Sequence, residues 1–158
     1  LTHPLRSELL AALTEERQAV RGFVALLQDE QALLTENSIE PLATLAESKS
    51  AHAFRLNTLA ETRHRLLLGC IPQLTAAAIV DWLQKNSPDG LRIWQEILTL
   101  SDQARQLNRI NGELIQMKLR HNQQVLTALS RAVNQADLYG SDGQANFSVG
   151  SGRSLGSV

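Results

Sequence analysis

The chain has little of what catalytic or covalently stapled folds are built from. Of its 158 residues one is cysteine, one is tyrosine, four are proline, and aromatic residues make up only 4%. A single cysteine, Cys70, rules out an internal disulfide and fits a reducing compartment. So few aromatics, set against a 43% hydrophobic content dominated by leucine and alanine, argue against a β-sandwich and for helices packed on helices. A net charge of −1 removes any general attraction to nucleic acid or anionic lipid. There is no run of about 18 apolar residues and no secretory leader pattern. The longest apolar stretch, Leu66 to Ile71, is interrupted by Gly69 and is too short to cross a bilayer. The chain starts at Leu1 without an initiator methionine, so the natural protein is expected to extend a few residues further at that end. These absences predict a soluble, cytoplasmic, mainly helical protein.

What is present is heptad order. Leu13, Val20, Leu27 and Leu34 fall seven residues apart, with Leu9, Leu10, Phe23 and Val24 filling the half-turns. Such a repeat keeps one seam turned toward a partner helix and predicts a first helix from about Pro4 to Thr35. Asn37-Ser38-Ile39-Glu40 has the pattern of a capping box, and Pro41 is harmless in a first turn. The short connection makes the first two helices antiparallel neighbours. A second line, Leu42, Leu45, Lys49, His52, Leu56, Leu59, Arg63 and Leu66, is apolar at its ends and polar in its middle, and Gly69 and Pro72 end it. Thr75 is placed to cap a short third helix from Ala76 to about Lys85, and Ser87-Pro88 to open the fourth. From Pro88 to Ala136 no proline interrupts a pattern that reads as one helix, on the order of 70 Å long. Two stripes run along it: Leu100, Ala104, Leu107, Ile110, Leu114 and Met117, then Ile115, Leu119, Asn122, Leu126, Leu129 and Val133. The predicted fold is all-α, an antiparallel hairpin or bundle of about four helices, three long and one short. It comprises a helical domain over 1–138 and a flexible Gly/Ser-rich tail over 139–158.

Catalytic patterns are weak. No G-x-S-x-G or P-loop occurs. Glu61-Thr62-Arg63-His64 has the spacing of a di-iron half-site, but a di-iron centre needs a second copy and two more carboxylates, and the chain has no second copy. Neither a metal nor another cofactor is expected. Cys70, after a leucine-rich run, reads as a small core or boundary residue. Ala51-His52-Ala53-Phe54-Arg55 is similar to the histidine site of phosphotransfer four-helix domains, yet Leu56 stands where that site needs a small residue. His52 also falls on the apolar line of the second helix, where a partly buried, hydrogen-bonded imidazole is the simpler reading. Phosphotransfer through His52 and a structural coiled-coil subunit remain alternatives to a binding protein. The basic residues Arg105, Arg109, Lys118, Arg120 and Arg131 form no dense stripe and have no stacking aromatics near them, so nucleic acid is not an expected partner.

The informative segment is Leu107-Asn108-Arg109-Ile110-Asn111-Gly112-Glu113-Leu114-Ile115. Asparagine is a poor helix former and glycine costs about 0.8–1 kcal/mol against alanine inside a helix, so their presence there needs a reason. Two readings stand. Asparagine side chains could bond within the bundle while Gly112 admits a neighbouring helix. Alternatively Leu107, Asn108, Asn111, Leu114, Ile115, Lys118, Leu119 and Asn122 could line a groove in which amides set the register of an incoming segment and the apolar groups hold it.

Four pieces of sequence together resemble the FlgN family of flagellar export chaperones. They are Gln28-Asp29-Glu30-Gln31-Ala32-Leu33-Leu34, the Leu42/Leu45/Lys49 spacing, Trp94 and Leu98 followed by Arg105 to Ile115, and Tyr139-Gly140-Ser141-Asp142-Gly143. The resemblance implies a non-enzymatic cytoplasmic chaperone for the hook-associated proteins FlgK and FlgL. Such a protein binds their C-terminal helical segments, prevents premature assembly and delivers them to the type III export gate. It also implies that the C-terminal helix carries the client surface and that Tyr139 docks on the cytoplasmic domain of the gate.

Overall fold

In a computed structural model, residues 3–36, 38, 40–120, 129–131 and 133 are described. They form α1 (His3–Thr35), α2 (Glu40–Leu68), α3 (Ala76–Asn86) and α4 (Pro88–Leu119), and residues 129–131 and 133 are helical as well. The all-α architecture follows the heptads. Leu9, Glu16, Phe23 and Glu30 form one buried column of α1, and Leu13, Val20, Leu27 and Leu34 form the other. On α2 the buried columns are Leu42, Lys49, Leu56, Arg63 and Ala46, Ala53, Ala60, Leu67.

Half of the line expected on α2 is therefore displaced. Leu45, His52, Leu59 and Leu66 are half-buried edge residues, and three alanines with Leu67 take the centre. Small side chains at the centre leave room for the larger ones of α1: Phe23 shares a cluster with Leu56 and Ala60. Residue volume, which periodicity alone does not weigh, chose the column.

The caps at Thr75 and Ser87 formed as expected, and Asn37 of the expected capping box lies outside the described residues. The Thr75 hydroxyl accepts from the Ala78 amide, and the Ser87 hydroxyl accepts from the Gly90 amide at 3.2 Å with Pro88 opening α4. Each satisfies one amide that the helix start leaves unpaired. A Cβ at Gly90 would stand 2.7 Å from the Ser87 hydroxyl, so this cap requires glycine there. Short α3 reverses the chain, so that α4 runs antiparallel to α2 and parallel to α1. Arg17 and Arg21 of α1 meet Glu96 early in α4, and Leu27 and Glu30 meet Asn111 further along.

Three apolar clusters are stacked along the bundle. One end holds Leu9, Leu13, Leu67, Ile71, Ile79, Leu83, Ile93, Trp94 and Ile97, the middle holds Val20, Phe23, Leu27, Leu56 and Ala104, and the other end holds Leu34, Leu42, Ala46, Ile115 and Leu129.

The single helix expected from Pro88 to Ala136 is corrected. In a continuous helix Gly112 and Val133 would stand about 30 Å apart. Instead, a Cβ on Gly112 would lie 3.2 Å from Val133 Cγ1, and Leu129 packs in one cluster with Ile115. The chain doubles back, α4 ends at Leu119, and Leu129 and Val133 of the second expected stripe pack against α4 itself. Asn122, Tyr139 and the Gly/Ser segment from 139 onward lie outside the described residues.

Candidate functional site: buried polar layers and the face of α4

Two charged layers separate the three apolar clusters, each assembled from three helices. In the first, the Lys49 ammonium of α2 donates to both oxygens of Glu30 on α1, at 3.2 and 3.1 Å. Asn111 of α4 completes it: Nδ2 donates to Glu30 Oε2 at 2.7 Å and to the Leu27 carbonyl at 2.8 Å. All three side chains are fully buried. Burial holds the Lys49 pKa below its ordinary value of 10.5, while the Glu30 carboxylate, by charge and hydrogen bond, pulls it the other way.

In the second layer Arg63 of α2 donates to Glu16 of α1 at 2.6 Å, and its guanidinium lies 4.8 Å from the centre of the Trp94 ring on α4. Glu16 and Glu30 are fourteen residues apart on α1, as Lys49 and Arg63 are on α2. Equal spacing lets both pairs form in one antiparallel register. A slip by one heptad sets Glu30 against Leu56, leaving a buried carboxylate without its cation. The matched spacing suits the layers to act as register pins, the best attested use of buried polar groups in helical bundles.

The residues of the expected groove are not all on one accessible face. Asn111 and Ile115 have 0% exposure, so neither lines an open groove in this structure. Asn111 is turned inward because both of its amide hydrogens find acceptors on α1. Leu107, Asn108, Leu114 and Lys118 are half-buried. Leu107 packs against the middle cluster, and Leu114 against the cluster of Leu34, Leu42, Ala46, Ile115 and Leu129. Leu119 is the last residue of α4, and Asn122 lies outside the described residues. Of the two readings of the asparagines, bonding within the bundle holds for Asn111, and Gly112 does admit a neighbouring segment.

The sequence reading missed Glu16 and Glu30 as core residues. Their signal was present: carboxylates in the Leu9–Phe23 heptad column, matched in spacing by cations on the next helix. The resemblance pieces gain a common meaning, since Glu30, Lys49 and Asn111, from three separate motifs, meet in one layer.

His52 is half-buried, its ring centre 6.4 Å from that of Phe23, in an open groove of about 820 Å³ between α1 and α2 lined also by Leu10, Ala11, Ala19 and Gly22. It is thus an interface edge residue, as its place on the α2 line suggested. The Lys49 ammonium, on the same expected line, is enclosed. Cys70 is half-buried at the end of α2, and burial pushes its thiol pKa up, which disfavours the reactive thiolate. No helix among the described residues is long and apolar enough to cross a membrane.

The family model described as "FlgN protein" matches residues 5–146. The chain is 26% identical over 151 residues to the flagella synthesis protein FlgN of Proteus mirabilis, covering 96% of this chain and 99% of that one. It is 36% identical over 70 residues to the flagella synthesis protein FlgN of Escherichia coli (strain K12), covering 44% of this chain and 50% of that relative. No solved structure gives a significant match.

Proposed function

The chain belongs to the FlgN family, and from that premise we propose that it is a non-enzymatic, cytoplasmic export chaperone for the hook-associated proteins FlgK and FlgL. It binds their C-terminal helical segments, keeps them from assembling early and delivers them to the type III export gate. The observation that carries this reading is the family match along nearly the whole chain. The surface of α4 supports it. Leu107 and Leu114 are half-buried at the edge of the bundle, and Met117, three residues after Leu114, is 54% exposed. That leaves an adaptable apolar strip of the kind that accepts an amphipathic helix. In this proposal Leu107, Asn108, Leu114 and Lys118 meet the client, and Leu119 and Asn122 are proposed as further contacts, Asn122 lying outside the described residues. Asn111 acts from inside by fixing where α4 lies, and Ile115, packed in one cluster with Leu129, meets a client only where Leu129 is displaced.

Copurification of the protein with the C-terminal segments of FlgK and FlgL is the direct test. Leu114→Asp puts a carboxylate into a half-apolar contact and should weaken client binding about thirtyfold or more, the scale of a central interface residue. Circular dichroism must show the helices retained. A folded Leu114→Asp protein that binds at full strength removes this face from the client site. Tyr139 is proposed to dock on the cytoplasmic domain of the export gate, an aromatic anchor with only two torsions to freeze. Tyr139→Ala is expected to leave client binding intact and to lower affinity for the isolated gate domain. Equal affinities of the two proteins for that domain would end the assignment.

A further inference from the structure

The face of α4 around Gly112 and Ile115 is already occupied by the chain itself. Leu129 has 0% exposure and packs with Leu34, Leu42, Ala46 and Ile115. Val133 is half-buried against the same cluster, and its Cγ1 stands 3.2 Å from where a Gly112 Cβ would be. Residues four apart in a helix project from one side, so Leu129 and Val133 act as two knobs on one helical turn. The seat beneath them is formed at two points by residues with minimal side chains, Ala46 and Gly112. Glycine there cannot be attributed to its own helix, which it weakens; what it provides is room for Val133.

We infer that this turn is an internal stand-in for a partner, and that the seat formed by Leu34, Leu42, Ala46, Gly112 and Ile115 takes an amphipathic helix presenting two aliphatic side chains four residues apart, the second no larger than valine where it meets Gly112. The inference rests on the chaperone reading for the identity of that partner and adds what the client must carry. A client helix enters by displacing Leu129 and Val133, so its apparent affinity is its affinity for the empty seat multiplied by the fraction of molecules in which the seat is open. The chain thus shields an apolar seat while no client is bound.

The test uses the full chain with Leu129→Ser and Val133→Ser together, compared with the native chain and checked for helicity by circular dichroism. Where the double variant does not fold, Val133→Ser alone serves, because that side chain is only half-buried. Two probes are titrated. The first is a synthetic peptide of this chain's own residues 127–137, independent of any client. It should bind the variant at least tenfold more tightly than the native chain, and adding Gly112→Leu to the variant should abolish the gain. The second is the C-terminal segment of a hook-associated protein, expected to bind the variant five- to tenfold more tightly. Equal peptide affinities for variant and native chain overturn the stand-in. Client affinity that is unchanged or lower in the variant overturns the seat as the client's. If the native chain and the variant both fail to bind the client while the peptide arm succeeds, it is the chaperone reading that falls and the seat that stands.

Discussion

Replacing Lys49 by alanine is expected to lower the unfolding free energy by about 3–5 kcal/mol, because among the described residues it leaves the buried Glu30 carboxylate with the Asn111 amide but no cation. Domains of this size are stable by about 5–15 kcal/mol in all, so the variant should stand near the edge of unfolding, as urea denaturation will report. Removing both charges is the informative contrast. Glu30→Leu with Lys49→Met keeps volume and leaves no unpaired charge, and such replacements are neutral or stabilising by about 1–4 kcal/mol. If the layer is a register pin, the double variant is stable yet loses a single alignment of α1 on α2, seen as broadened or doubled amide resonances. A destabilised Lys49→Ala protein together with a double variant of native spectrum would show an ordinary ion pair with no role in alignment.

The layer also sets a pH response. Folding lowers the Lys49 pKa below 10.5, so between the folded value and 10.5 the unfolded chain binds more protons, and the contribution of this group to stability rises with pH through that window. The native chain should therefore gain on the double variant as pH approaches 10.5. A difference that stays flat or falls argues that the ammonium is better solvated than its burial implies.

Arg63→Met is the second large loss, again about 3–5 kcal/mol, since Glu16 is fully buried and this substitution removes its cation. A further part of the cost is the contact of the guanidinium with Trp94, of order 0.5–2 kcal/mol. Trp94→Phe keeps an aromatic face and should lose far less than Arg63→Met, whereas Trp94→Ala adds a cavity worth about 3–5 kcal/mol. The order is checked by denaturation of the three single variants. Should Arg63→Met prove as stable as the native chain, Glu16 is held by something other than Arg63, and the pair does not carry this layer.

Much of the fold could be read directly. Leu13, Val20, Leu27 and Leu34 repeat at seven, and all four are buried. Ser87 and Thr75 announced two helix starts because their side chains can accept from amides that a first turn leaves free. Family membership was also legible, since the motif from Leu107 to Ile115 is specific. The site was legible only as a location. For Asn111 the sequence left open a groove amide set out for a partner and a bond within the bundle, and the fold chose the second, because the Leu27 carbonyl and the Glu30 carboxylate wait at bonding distance on another helix.

The sequence by itself determined helix type, the antiparallel pairing of α1 and α2, and the matched fourteen-residue spacing of opposite charges, all of which depend on local periodicity. Only the tertiary structure decided which α2 column faces inward, that Glu16 and Glu30 are core residues, and that Leu129 and Val133 return to α4. Those outcomes depend on volumes and acceptors contributed by segments distant in the chain, and a period of seven carries no information about what lies across the interface.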